Sequence, residues 1–400
     1  MDIKYIDNDP SKGILYDWKR IQKEYKKLKI PAQYFYPLRV DPARAGYYQA
    51  LSDRSRGKTT ETLILGMIMY KLYGTITHYI RTDRETITPK SLRDLFTTIT
   101  DNGYVEKITE GKYNSVEYYG KRWTYVMRDE SGNIVEKSAN HFCIAMCLDD
   151  SDRLKSSYSC PRGDLIIFDE FIQLSGYGYN DYIRFSDMIS TIFRKRICGM
   201  VYMLSNTIDI NSPWFDEFCI RSDVETMQPG ESRYIESPEG THVFIEIMSP
   251  DETPQRQTVN RRFFGFPNPK LAAITGRGTW ATDSYPHIPP HKEDPPKILH
   301  NKLFLRHAGK LLKLQLVQTD VGLCVYVRPA TKTYKDSLIF VSGDIHDKRE
   351  IYGFGAAGSR LQLIWRLYRA NRFYYATNSD GNLIRAYIKA VKTRDKAAGL

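Results

Sequence analysis

Two spacings of hydrophobic residues alternate along the chain. Apolar residues crowd into short runs at Gly46–Leu51, 141–147, Leu165–Phe168 and Cys198–Leu204, and they alternate with polar ones from Thr75 to Arg81. Such runs predict strands, buried on both faces where the run is continuous. Elsewhere apolar positions fall three and four apart: over Tyr16–Leu28, over Thr60–Leu72 ahead of Gly74, and over Lys90–Thr100 ahead of Asn102 and Gly103. The same spacing resumes near Asp181, with Ile183, Met188, Ile189, Ile192 and Phe193 on one face. These segments predict helices. Tyr113–Ala139 interleaves Tyr, Val and Trp with charges around Ser131, Gly132 and Asn133, and predicts a β-hairpin. Strands that alternate with helices predict an α/β domain with a mostly parallel sheet.

The pattern loosens after residue 225 into prolines, glycines and charges, with one strand at Val243–Ile247 and a proline-rich break at 287–296. Beyond Leu303 it becomes β-rich. Strands are expected at Leu311–Gln318, Leu323–Val327 and Ser337–Val341, then a helix at Arg360–Ala370, an aromatic strand at Phe373–Ala376 and a basic helix at Leu383–Val391. The expected organisation is an arm at 1–45 that packs on the α/β domain or on a neighbouring subunit, the α/β domain at 46–225, a linker region at 226–297, and a small α+β domain at 298–400.

Candidate chemistry sits where two of these strands end. Gly46–Leu51 runs into Ser52, Asp53, Arg54, Ser55, Arg56, Gly57, Lys58 and Thr59, and a helix follows. This is the phosphate-loop pattern G-x-x-x-x-G-K-S/T with Ser52 at its first glycine. A strand that stops at such a loop and restarts as a helix aims backbone N–H groups and the positive helix end at one polyphosphate. Lys58 would reach the β/γ-phosphates of ATP and Thr59 would hold Mg²⁺. The second strand ends in Asp169 and Glu170, 111 residues beyond Lys58. Asp169 suits the metal's water shell and Glu170 the activation of an attacking water. Arg81 and Arg84 follow a third strand, where ligands bind in open α/β sheets; a solvated strand end reads equally well. Arg194 and Arg196 close the helix after the acid pair, as dipole caps or as a finger reaching a neighbour's γ-phosphate. Asn206 ends a further strand, as a phosphate sensor or a turn residue.

Charge adds a partner. The chain carries a net +11, and residues 301–400 alone hold 18 basic and 7 acidic residues, so the whole surplus lies in the last quarter. A basic module on a near-neutral one points first to nucleic acid. Arg366, Arg369, Arg372, Arg385 and Lys389 recur along its helices and their flanks with Tyr374 and Tyr375 between them, and are the candidate nucleic-acid contacts. The acids there show no mid-strand cluster of the kind metal-dependent nucleases need, so nuclease activity is not expected. The six cysteines include no C-x-x-C pair and read as reduced core residues. His287 and His291 are separated by prolines that forbid a shared helical metal site. No signal peptide and no membrane span is expected.

Four stretches together carry a resemblance: Arg54 within the loop before Gly57, Lys58 and Thr59; Phe168–Ile172 around the acid pair; Phe193, Arg194 and Arg196; and Leu204, Ser205 and Asn206. They resemble the DNA-packaging (encapsidation) ATPases of small protein-primed tailed phages, the phi-twenty-nine-like group of terminase-like motors. The match covers residues 46–215 and, more faintly, the terminal module. It implies a RecA-like (ASCE) P-loop ATPase domain followed by a small ribonuclease H/nuclease-like domain without its acidic cluster. It also implies a homo-oligomeric ring, a pentamer, on the portal (connector) of an empty procapsid in the host cytoplasm, driving double-stranded DNA inward with ATP and Mg²⁺ and with no membrane partner. A structural RNA is left open as a further partner. By this resemblance Ser52, Arg54, Gly57, Lys58 and Thr59 bind nucleotide, Thr59 and Asp169 the metal, Glu170 is the base, Arg194 the likelier finger in trans, and Asn206 the coupling residue. Two other functions fit the residues: a replicative helicase or initiator ATPase, and a nucleic-acid-binding protein switched by nucleotide.

Overall fold

The computed structural model describes residues 4–151, 158–172, 181–206, 212–264, 297–319, 322–353 and 359–397. Most of the polar loop before residue 160, the Gly/Tyr/Asn loop after Ile172, the break at 287–296 and the turn residues Asp320 and Val321 lie outside them. Among the described residues no helix is long and apolar enough to cross a membrane.

The first sheet is built from β1 (Tyr47–Ser52), β2 (Thr77–Arg81), β3 (Ser115–Tyr119), β4 (Arg122–Arg128), β5 (Ile134–Lys137), β6 (Cys143–Cys147), β7 (Leu165–Asp169), β8 (Met200–Asn206), β9 (Ser232–Glu236) and β10 (His242–Ile247). Its spatial order is β3-β4-β6-β2-β7-β8-β1-β10-β9, with β5 also on β4. The six strands from β6 to β10 pair in parallel, and the rest pair antiparallel at the two ends. The order β10-β1-β8-β7-β2 at its centre is that of a RecA-like ATPase sheet. Every residue of β7 and β6 is buried, because helices cover both faces of a parallel sheet.

Helix Lys58–Tyr73 is apolar all round, with twelve buried residues. A helix so patterned must be covered on every side. One side lies on the sheet, so closely that a Cβ on Gly66 would meet Thr77 Oγ1 at 2.2 Å. The other side is covered by helix Trp18–Lys27, whose Trp18, Ile21 and Tyr25 are buried in the same core as Ile14, Phe35 and Val40. The described part of the arm, residues 4–45, therefore packs on this domain and shares its core. The opposite face of the sheet carries helix Asp181–Phe193 and the short helices Pro213–Glu217 and Arg221–Thr226.

Three expectations need correction. The segment read as one hairpin is a three-stranded meander, β3-β4-β5, because Gly120 and Lys121, both at positive φ, make a second turn. On helix Asp181–Phe193 the buried face is Phe185, Met188 and Ile192, while Ile183 is 57% exposed. The strand expected inside the linker is β10, which pairs with β1, so the sheet-forming chain runs to Ile247 rather than ending at 225.

The second sheet comprises β11 (Lys297–His307), β12 (Lys310–Thr319), β13 (Gly322–Pro329), β14 (Leu338–Val341), β15 (Glu350–Tyr352) and β16 (Phe373–Tyr375), in the order β15-β14-β11-β12-β13-β16. An antiparallel meander, β11 to β13, is extended by parallel strands next to its first member, which is the ribonuclease H-like arrangement. Helices Ser359–Arg369 and Asn378–Ala397 bury Ile364, Leu367, Leu383, Ile384, Tyr387 and Ile388 in a core of its own.

Candidate nucleotide site

The carboxyl ends of β1, β2, β7 and β8 meet at one open pocket of about 460 Å³, bordered by Arg54, Gly57, Lys58, Thr59, Asp169, Glu170 and Asn206. Helix Lys58–Tyr73 starts here with Gly57 as its N-cap at φ 71°, and no side chain caps it. The first N–H groups of a helix have no acceptor inside it, so they are left to a ligand. The position needs glycine twice over, since a Cβ there would also meet the Tyr34 ring at 3.1 Å.

Ser52, which replaces the first glycine of the pattern, is the fully buried last residue of β1 and has no positive φ. The loop's left-handed turns fall at Ser55 and Gly57 instead. The Ser52 hydroxyl accepts a hydrogen bond from the Lys58 ammonium, which also lies 3.4 Å from Asn206 Oδ1. Burial pushes Lys58 down to about 8, against the pull of Asp169 and Asp53. A polyphosphate in the pocket would supply the negative charge that this buried cation lacks.

The acid pair is held by more than the loop. Asp169 accepts from the Thr59 hydroxyl at 3.0 Å on one oxygen, and on the other from the Tyr79 hydroxyl at 2.8 Å and Arg81 at 3.1 Å. The same Arg81 guanidinium reaches Glu170. Glu170 stands at φ 56°, a backbone conformation a bulky residue rarely takes, and its side chain is half exposed. Just beyond it, Ile172 N–H donates to the Ser205 hydroxyl. Arg81 is the functional residue that sequence reasoning placed only at a strand end. Its neighbour Arg84 turns away and pairs with Asp150.

Not every candidate comes together here. Arg196 is paired with the buried Asp164 and donates to the carbonyls of Ile192 and Gly163. Arg194 donates to the Tyr158 carbonyl at 2.8 Å. Asp164 immediately precedes β7, so both arginines lie at the amino edge of the sheet, across the domain from their own pocket. Of the nucleic-acid candidates, Arg366, Arg369 and Arg385 are exposed and Lys389 half-buried on helices whose apolar faces meet the second sheet, and Arg372 is half-buried in the turn before β16.

Sheet order, phosphate loop and acid pair together define a RecA-like P-loop ATPase domain. The chain is similar to the bacteriophage Phi-29 viral genome packaging motor assembly, at 15% identity, over 90% of this chain and 100% of that chain, with a TM-score of 0.54. Also similar are the Phi-28 gp11 DNA packaging motor (15% identity, 90% and 99% coverage, TM-score 0.47) and the N-terminal domain of the DNA packaging ATPase from bacteriophage phi29 (19%, 55% and 98%, 0.42). No family model and no curated protein matches the chain.

Proposed function

We propose that the chain is the ATPase of a viral DNA-packaging motor: it hydrolyses ATP to drive double-stranded DNA into a procapsid, as a ring of identical subunits seated on the portal in the host cytoplasm. The observation that carries this reading is the convergence of Lys58, Thr59, Asp169, Glu170 and Asn206 on one pocket, in a chain of which 90% matches a packaging motor assembly in fold.

The residues fit ATP and Mg²⁺. The buried Lys58 ammonium and uncapped helix start suit β- and γ-phosphates, and the Thr59 hydroxyl and Asp169 carboxylate, already 3.0 Å apart, are hard oxygen donors for Mg²⁺. When bound, the ion neutralises charge on the phosphate oxygens. Lys58 and the loop amides orient the phosphates. Glu170, half exposed at the pocket rim, takes the proton of the attacking water, and Asn206 beside Lys58 senses the terminal phosphate.

The test is ATP hydrolysis by the full chain with and without duplex DNA. Lys58→Ala should weaken ATP binding, whereas Glu170→Gln should bind ATP normally and hydrolyse at least about a hundredfold more slowly. Near-normal turnover by Glu170→Gln would remove it as the base. Strand unwinding in place of duplex translocation would make the chain a helicase, and slow hydrolysis indifferent to DNA would make it a switch.

A further inference from the structure

Asp53 lies inside the phosphate loop at 1% exposure, and no side chain closes a hydrogen bond on its carboxylate, which faces the Asp251 backbone. A carboxylate so buried is costly unless nearby charge balances it. Burial accordingly raises its proton affinity above the usual range, and the charges of Arg56, Arg256 and Lys58 oppose the rise. Arg56 Nε is 4.0 Å from Asp53 Oδ1, and the other side of the same guanidinium is 3.9 Å from Asp251 Oδ1. These contacts are electrostatic, longer than closed hydrogen bonds.

Asp251 and Arg256 belong to the chain as it leaves the sheet. Met248 N–H still donates to the Leu51 carbonyl, Asp251 then accepts from Thr253 N–H, and helix Pro254–Phe264 begins. Arg56 is therefore shared between the loop and the exit segment. It also borders the pocket, so negative charge arriving there acts on the same guanidinium that Asp251 holds in place.

We propose that Asp53, Arg56 and Asp251 are positioning residues that tie the phosphate loop to segment 248–264, so that filling of the pocket is felt where the chain departs toward the C-terminal module. This rests on the pocket being a nucleotide site. Held by Asp251, Arg56 keeps the loop in its binding form, and by reciprocity nucleotide bound in the pocket strengthens that tie.

Steady-state kinetics and amide hydrogen exchange on the full chain test it. Arg56→Gln and Asp251→Asn should each raise KM for ATP about tenfold, a typical coupling magnitude, while kcat falls by less. The double variant should be no worse than the poorer single one, because the same link is lost, and Arg56→Lys should recover most of the affinity. In the unsubstituted chain a non-hydrolysable ATP analogue should change exchange across 248–264. In Asp251→Asn that change should vanish while the loop itself stays protected. Unchanged KM in both single variants, additive effects in the double, or a persisting response at 248–264 in Asp251→Asn would each overturn the tie. Absence of ATP binding by the unsubstituted chain would instead overturn the nucleotide-site reading, and this inference with it.

Discussion

Arg81 shows how much of the site depends on one side chain outside both sequence motifs. It lies within salt-bridge distance of both Asp169 and Glu170, reaching each acid through a different nitrogen. Asp169 keeps two other donors, the Thr59 and Tyr79 hydroxyls, when Arg81 is removed. Glu170, held in a left-handed backbone turn, loses its guanidinium partner. Arg81→Ala should therefore act on the chemistry rather than on binding: kcat down about a hundredfold, the size of a general-base contribution, with KM for ATP within about threefold. Tyr79→Phe removes a single donor from a satisfied carboxylate and should cost about 1 kcal/mol of stability. A large rise in KM with kcat preserved in Arg81→Ala would assign Arg81 to nucleotide binding instead.

At the scale of elements, β2 joins the site to the core and carries a pH signature. His78, near the start of β2, is fully buried, with Nε2 2.6 Å from the Tyr158 hydroxyl. Burial, helped by the charge of Arg196, lowers it to about 3 from an ordinary 6.5. Below 6.5 the unfolded chain takes up a proton that the folded chain refuses, so this contribution to stability is complete above 6.5 and is lost as pH falls toward 3. The slope is about 1.4 kcal/mol per pH unit. Urea unfolding at pH 7.5 and pH 5.5 should show the loss, and His78→Asn should shrink it; an unchanged pH dependence in that variant would place the acid sensitivity elsewhere. The elements themselves were legible to different degrees. β1, β6, β7 and β8 are continuous apolar runs because both their faces are covered, and the loop and acid pair stand at their ends. β10 was read inside a linker because its strand is short, begins at the exposed His242 and is flanked by turn residues; its pairing with β1 is a long-range fact that local pattern does not carry. The same holds for the site. Lys58, Thr59, Asp169, Glu170 and Asn206 follow from motif and strand end, but Arg81's hold on both acids depends on β2 lying next to β7 in register, and the charge tie from Arg56 to Asp251 depends on β10 lying next to β1.

For the whole molecule, position decides which partner each arginine can serve. Arg196 is committed to the buried Asp164, whereas Arg194 lies at the amino edge of its own sheet, and in the proposed ring its target would be the nucleotide of a neighbouring subunit. Fingers acting across a boundary contribute about a thousandfold or more to rate. Mixing Arg194→Ala with Lys58→Ala subunits should thus restore part of the hydrolysis each lacks alone, since some interfaces then combine an intact loop with an intact finger; mixed rings that stay inactive would remove Arg194 from the reaction. For the C-terminal module we propose a different polyanion. Its two helices bury their apolar stripes against the sheet and turn Arg366, Arg369 and Arg385 outward, and the module holds a charge surplus equal to that of the entire chain. Its first strand, Lys297–His307, carries no acid at all, and two-ion cleavage needs carboxylates that hold metals about 4 Å apart. Binding without cutting is the expected outcome. Duplex DNA titrated onto the full chain at rising salt should lose affinity with a slope of about 0.9 for each phosphate contact, and Arg366→Ala combined with Arg369→Ala should lower that slope by up to about 1.8. Plasmid incubated with the chain and Mn²⁺ should remain intact. A slope that ignores both substitutions would move the nucleic-acid contacts off this helix, and cleavage abolished by Asp344→Ala would make the module a nuclease after all.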